Sequence, residues 1–514
     1  MAAPPPERDL LRSAASAVQE AAEHPTAFGL RQWSGLVIGP ALLLLTLVTS
    51  PPEGLSLEGW RTAGAAALMA VWWICESVPI PVTALVPLAL FPVLRLGSIK
   101  DVAAPYANPL VFLFLGGFVI ALAMQRWGLH RRVAIGIIAA MGTRPTRIIA
   151  GFLLAGALVS MWVSNTATAL MMLPIAISVV ALLPAAERPG GASNDFGTAL
   201  MLAVAYGATT GGMATLIGTP PNALLAGFMS RVYGYEIGFA QWMLVGVPVA
   251  AVALPVVFWI LTRVSFKLGR DELPGMAELI ATEKSRLGSL GRGEIAVATV
   301  FGLVALGWIF NPLLSGWVPL LSDTTVAITG AIALFLIPID AKRGEFVMNW
   351  AATRTLPWDV LILFGGGLSL AAAIQEHGLS EYLGRLAGGL SGFPIIAAIA
   401  IVCFGILMLT ELTSNTATAA TFLPIVAAIA VSLGQNPLLF LVPTALAANC
   451  SYMMPVGTPP NAIVFGSGMV RLPQMARAGM LMNLALVPII VALLWFLGPI
   501  VFGIEHGVLP AWAR

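Results

Sequence analysis

Apolar runs long enough to cross a bilayer recur from Val37 to Phe502, separated by short breaks that carry Gly, Pro and charge. The hydrocarbon core offers no water to exposed amides and carbonyls, so spanning segments must satisfy their own backbone, and runs of about 20 apolar residues do so as helices. Ten to twelve helical segments are expected, about eleven of them spanning, with no soluble domain large enough for separate chemistry. Composition agrees: 58% of the 514 residues are hydrophobic and 10% charged, a balance outside the range of soluble domains. The fold class is an all-α polytopic membrane protein. A net charge of +2 gives no argument for a nucleic-acid partner.

Residues 1–33 mix Arg8, Arg12 and Arg31 with Glu7, Asp9, Glu20 and Glu23. The acidic residues argue against a transit peptide, and the lack of an early apolar core argues against a cleaved signal, so a cytoplasmic tail is expected. Cys75, Cys403 and Cys450 lie in apolar segments without ligand spacing and read as inert core residues. His24, His130, His377 and His506 read as loop or tail residues and also lack ligand spacing.

The stretch SNTATALMMLPI from Ser164 recurs as SNTATAATFLPI from Ser414, identical at nine of twelve positions and offset by 250 residues. The same offset aligns Leu113–Leu129 with Leu363–Leu379, including Gly116/Gly366 and Gln125/Gln375. GTPPNA then occurs at Gly218 and Gly457, an offset of 239, and the segment from Pro184 to Phe196 accounts for the difference. Three blocks in one order imply two copies of one unit. The first repeat is expected over 34–262 and the second over 295–514, joined by a cytoplasmic linker at 263–294, the longest polar interruption. Arg126–Arg147 holds five arginines and no acidic residue, whereas the matching Glu376–Ala397 holds one arginine and two glutamates. Basic residues accumulate in cytoplasmic loops, so the copies are expected to be inverted, an arrangement found in secondary transporters with a midplane site.

Ile148–Val163 and Ala167–Leu183 are each short for a full crossing. Joined at Ser164–Thr166 they read as a re-entrant hairpin whose second arm is capped by Ser and Asn oxygens. GTPPN reads as another helix start at depth, with Thr as cap and Pro at the first helical position. Such breaks are tolerated only where backbone is buried in protein or lines a watery cavity. Helix N-termini favour anions, while carbonyls with Ser, Thr and Asn oxygens suit a small hard cation such as sodium. No Lys, Arg, Asp or Glu lies in Ile148–Leu183, and only Glu411 lies in Ile395–Leu433. A dianion meeting no fixed cation there would need bound cations, which would couple the two fluxes.

Paired SNT motifs, each followed by a T-P-P-N segment, with LFLGGF and PWDVLILFGGG, resemble the divalent anion/sodium symporter family, the INDY-like carriers of dicarboxylates, citrate or sulfate. The likeness runs from about Trp72 to Phe502. It implies a homodimer in membrane lipid, with a scaffold domain and a mobile transport domain moving as an elevator. It implies one sodium site at Ser160, Ser164, Asn165 and Gly218 and a second at Thr410, Thr413, Asn415 and Gly457. It places substrate against Asn165, Thr166, Asn415 and Thr416, with Thr219, Thr458 and Pro459 lining the pocket. Thr168 and Thr418 stand where the family's exchanger branch tends to carry a basic residue, which favours sodium coupling. No cofactor is implied beyond sodium as coupling ion.

The expectation is sodium-driven symport of C4-dicarboxylates such as succinate, malate and fumarate across a bacterial cytoplasmic membrane, with the N-terminus cytoplasmic. Sulfate or tricarboxylate symport and sodium-independent exchange are the alternatives on the same scaffold. An enzyme is not expected, since no HExxH, paired intramembrane Asp or Ser-His arrangement occurs. An ion-pump subunit would need relays of buried Lys, Glu or His. Two carboxylates stay open between structural and functional roles: Glu76 at a helix end, and Glu411, whose aligned counterpart is Met161. Arg131, Arg132, Arg144 and Arg147 are expected to form a stripe at the membrane surface, and Gly116–Gly117 and Gly366–Gly367 to be packing points.

Overall fold

The computed structural model describes residues 28–183, 195–269, 271–386 and 392–513. The tail and the segment invoked for the change of offset therefore fall mostly outside the described residues. Leaving out single-turn helices, the first half comprises α1 (Leu30–Val48), α2 (Leu57–Cys75), α3 (Val86–Leu94), α4 (Pro109–Arg126), α5 (Leu129–Met141), α6 (Pro145–Ser160), α7 (Asn165–Val180), α8 (Asp195–Gly212), α9 (Pro220–Tyr233) and α10 (Phe239–Trp259). After α11 (Met276–Leu287) follow α12 (Arg292–Ile309), α13 (Asp323–Leu336), α14 (Trp358–Glu376), α15 (Leu379–Leu386), α16 (Ile395–Thr410), α17 (Asn415–Ser432), α18 (Leu438–Asn449), α19 (Pro459–Gly466) and α20 (Leu472–Phe502). A two-stranded hairpin, β1 (Pro338–Asp340) and β2 (Glu345–Phe346), pairs antiparallel between α13 and α14.

Among the described residues, seven helices are long and apolar enough to cross a membrane, and shorter apolar helices accompany them. The arms α6 and α7 have 16 residues each. At 1.5 Å per residue that is about 24 Å, short of a hydrocarbon core of about 30 Å. Proline sits in the first turn of α4, α6, α9 and α19, where its missing N–H removes no intrahelical bond.

The order of α4 to α10 recurs in α14 to α20, and the contacts cross between halves. Helix α7 packs on α19 as α17 packs on α9, while α10 and α20 pack on each other. The paired glycines behave as expected: a Cβ on Gly116 would stand 2.7 Å from the Ala327 carbonyl carbon, and one on Gly366 2.3 Å from the Ala84 oxygen. Small residues permit this approach where lipid gives no hydrophobic drive to bring helices together. At the centre, α8 buries every residue from Phe196 to Gly212, and α18 buries every residue from Leu438 to Asn449. Tyr206 of α8 ties this centre to the second half by donating to the Tyr452 carbonyl at 2.8 Å.

The linker is held rather than free. Helix α11 lies on α5 and α7. Glu283 accepts from Arg131 at 2.7 Å and Arg286 at 2.6 Å, and Glu294 accepts from Arg132 at 2.7 Å. Arg132 also donates to the carbonyls of Leu287 (2.9 Å) and Gly288 (3.1 Å). Of the four arginines expected at the membrane surface, Arg131 and Arg132 thus bind the linker and the start of α12, while Arg144 and Arg147 are exposed. His130 likewise lies within α5 rather than in a loop.

Candidate functional site

Both SNT tripeptides start a helix where sequence places them. Helix α6 ends at Ser160, the chain turns through Met161–Val163, and Ser164 caps α7, its Oγ accepting from Ala167 N at 3.3 Å. In the second copy α16 ends at Thr410 and α17 starts at Asn415 behind Ser414, whose side chain makes no cap bond. Pro220 and Pro459 open α9 and α19. Thr219 and Thr458 stand at the N-cap positions that the sequence reading gives them, but neither side chain makes a cap bond; the Thr219 hydroxyl donates to Asn449 Oδ1 at 2.6 Å.

The residues of each tip meet the loop that precedes the facing T-P-P-N helix. In the first, Ser160 Oγ donates to Asn165 Oδ1 at 2.5 Å, and Gly212 lies against the Asn165 amide. Thr215 donates to the Met161 carbonyl at 2.6 Å and accepts from Gly218 N at 3.0 Å, binding tip to loop. Asn222 Nδ2 spans the same loop to the carbonyls of Gly212, Met213 and Thr215. In the second tip Thr410 Oγ1 lies 2.7 Å from Asn415 Oδ1 and 2.8 Å from the Ala448 carbonyl oxygen. The Thr413 hydroxyl points elsewhere, bonding Leu409 O (2.9 Å) and Thr418 Oγ1 (2.6 Å), and leaves its carbonyl as the group it can offer that cluster. These donors are all hard oxygens, the set that suits a small alkali cation.

Glu411 anchors the second loop. It is 2% exposed. Its carboxylate accepts from the main-chain amides of Tyr452 (2.8 Å), Met453 (3.0 Å) and Met454 (3.1 Å), from Ser451 Oγ (3.0 Å) and from Asn483 Nδ2 (2.6 Å). Three successive amides converging on one carboxylate form an anion-binding nest.

A cavity of about 780 Å³ opens between the tips. It is lined by Ser164, Asn165, Thr166, Gly218 and Thr219 from one half and Ser414, Asn415, Thr416, Gly457, Thr458 and Pro459 from the other. Ser160, Thr410 and Thr413 lie behind the wall, fully or almost fully buried. The first turns of α7, α9, α17 and α19 all face it; α7 and α17 supply unpaired amides, and all four starts supply partial positive charge, α9 and α19 with fewer amides because each opens with Pro-Pro. Among its described lining residues the charged ones are Glu76 and Asp359, both acidic. Glu76 ends α2 in a left-handed conformation (φ 51°) and pairs with Arg31 at 3.7 Å. Sequence reasoning missed Asp359, Thr215, Asn449 and the loop-spanning asparagines. The Asn of both T-P-P-N copies was visible as a repeated polar residue, whereas Asn449 carried no signal.

The family described as the sodium:sulfate symporter transmembrane region matches residues 30–504. A curated protein named sodium-dependent dicarboxylate transporter SdcS from Staphylococcus saprophyticus is 42% identical, over 93% of this chain and 94% of its own length. The SdcS of Staphylococcus aureus strain USA300 is also 42% identical, over 93% of each chain. Among solved structures, the YdaH transporter of Alcanivorax borkumensis is similar with a TM-score of 0.56 at 13% identity, covering 92% of this chain and 99% of its own. MtrF of Neisseria gonorrhoeae gives 0.54 at 12%, covering 94% and 97%. At such identities these two speak for the fold alone, an all-helical transporter fold, and it is the first two comparisons that make this chain a member of the divalent anion/sodium symporter family.

Proposed function

We infer that this protein is a sodium-coupled transporter of dicarboxylates, not an enzyme. The observation that carries the reading is the cavity's charge: four helix starts face a space whose ionised lining groups are acidic, so a dianion needs mobile cations beside it. Hard oxygen clusters at both tips supply places for them, and the relatives named SdcS are sodium-dependent dicarboxylate transporters.

The substrate carboxylates meet Asn165, Thr166, Asn415 and Thr416 at the starts of α7 and α17, between Thr219, Thr458 and Pro459. One sodium binds at Ser160, Ser164, Asn165 and Gly218, the other at Thr410, the Thr413 carbonyl, Asn415 and Gly457. Glu411 holds the loop that carries Gly457 and binds neither ligand. Residues 34–262 and 295–514 form inverted repeats in the bacterial cytoplasmic membrane, with 263–294 and the N-terminus cytoplasmic. The family resemblance supports a homodimer whose hairpin domains move as an elevator, and the short arms fit hairpins that stop within the membrane. Citrate and sulfate are competing oxyanions for the same helix starts, and competition against succinate separates them.

The test is uptake of radiolabelled succinate into proteoliposomes, with an inward sodium gradient against a matched choline control, for wild type, Asn165→Ala and Asn415→Ala. Sodium-dependent accumulation lost in both variants supports symport and site together. Uptake that needs internal dicarboxylate and ignores sodium would make the protein an exchanger.

A further inference from the structure

This inference rests on the reading of the cavity as a dicarboxylate site and concerns how its two ends differ. The chain Asn222–Asn449–Thr219 has a single proton order, because main-chain carbonyls, which only accept, fix it. Asn222 Nδ2 faces the carbonyls of Gly212 (3.2 Å), Met213 (3.4 Å) and Thr215 (2.8 Å), so its Oδ1 must accept. It accepts from Asn449 Nδ2 at 2.8 Å, whose other proton goes to the Ala445 carbonyl at 3.0 Å. Asn449 Oδ1 is thereby an acceptor and takes the Thr219 hydroxyl proton at 2.6 Å. Thr219 keeps only lone pairs to offer.

The second copy lacks this chain. The residue 239 positions before Asn449 is Thr210, which bonds the Tyr452 hydroxyl at 2.9 Å instead. Asn461 repeats the role of Asn222, donating to the carbonyls of Ser451 and Met454 at 3.1 Å, but among the described residues its Oδ1 has no partner. Thr458 Oγ1 has none either, at 2% exposure.

We propose that Asn449 is a positioning residue that makes the cavity one-handed: Thr219 is acceptor-only and serves a hydroxyl donor on the substrate, whereas Thr458, its proton uncommitted, donates to a carboxylate. The ligand class this selects is a C4-dicarboxylate bearing a hydroxyl beside one carboxylate, bound in one orientation with the unsubstituted end towards Thr458. Succinate has no proton to give Thr219 and gains nothing there.

The experiment compares sodium-driven uptake of succinate and of L-malate in proteoliposomes for wild type, Thr219→Val, Thr219→Ser, Thr458→Val and Asn449→Ala, with the thermal midpoint of each protein as the check on folding. Thr458→Val is expected to raise the KM for succinate about tenfold, the scale of one hydrogen bond to a charged group. Thr219→Val should lower the malate-to-succinate ratio of kcat/KM about fivefold, as one neutral hydrogen bond would, while Thr458→Val, which acts on both ligands alike, should leave that ratio unchanged. Thr219→Ser should restore the ratio, and Asn449→Ala, which frees the Thr219 proton, should lower it. A malate-to-succinate ratio indifferent to Thr219→Val, or lowered equally by Thr458→Val, would overturn the inference while leaving dicarboxylate transport intact. A wild type that takes up neither dianion overturns the functional reading itself, and this inference with it.

Discussion

The two hairpin tips share nine of twelve residues from their serines onward, yet the protein holds them by different means. The first is tied to its loop by neutral groups: Thr215 donates to the Met161 carbonyl, and the Trp242 indole donates to Met213 O at 3.1 Å. At the second, Glu411 takes the place of Met161, and its carboxylate gathers three amides, a serine and an asparagine. Burying a charge is costly unless it is hydrogen-bonded throughout, and here each oxygen is. The comparison teaches that a repeated motif fixes where helices start, while the support of each copy is free to diverge. A loop held by one anion also has a single point of failure.

The largest expected effect follows from that point of failure. In Glu411→Gln the side-chain NH₂ would face amides that only donate, leaving main-chain N–H groups unpaired, and we expect a loss of about 3 kcal/mol in stability together with loss of sodium-dependent uptake. Thermal unfolding in detergent measures the first and uptake the second; a variant as stable as wild type would show that the carboxylate does not carry the loop. At the first tip, Thr215→Val removes two neutral hydrogen bonds and should cost about 1–2 kcal/mol, with transport reduced rather than abolished. Equal losses at both tips would break the comparison. The caps sharpen it at the smallest scale: Ser164→Ala should cost about 1 kcal/mol and Ser414→Ala, which removes no cap bond, markedly less, both read as shifts in the unfolding midpoint.

Much of this was legible in the sequence because it is local. Proline in GTPPN and the polar SNT stop one helix and start the next, and α7, α17, α9 and α19 begin where those residues stand. Glu411 stood out as a carboxylate in an apolar run whose counterpart is methionine, although its partners, forty and more residues away, could not be named. Thr219 takes the cap position but makes no cap bond, since Pro220 and Pro221 bring no amide for it to accept from, and its proton goes to Asn449, a partner from the other half of the chain that the motif does not announce. The partners of the α5 arginines were not legible because Glu283 and Glu294 lie some 150 residues further on. Side-chain partners across repeats leave no periodic trace, whereas helix punctuation does.

The central claim is that the cavity accepts a dianion only with sodium supplying the positive charge its walls lack. The direct measurement is the affinity of the purified protein for succinate, by equilibrium binding, as sodium is titrated against choline at constant ionic strength. The account predicts that affinity rises steeply with sodium and is lost in choline alone. Affinity for succinate that does not change with sodium would contradict it.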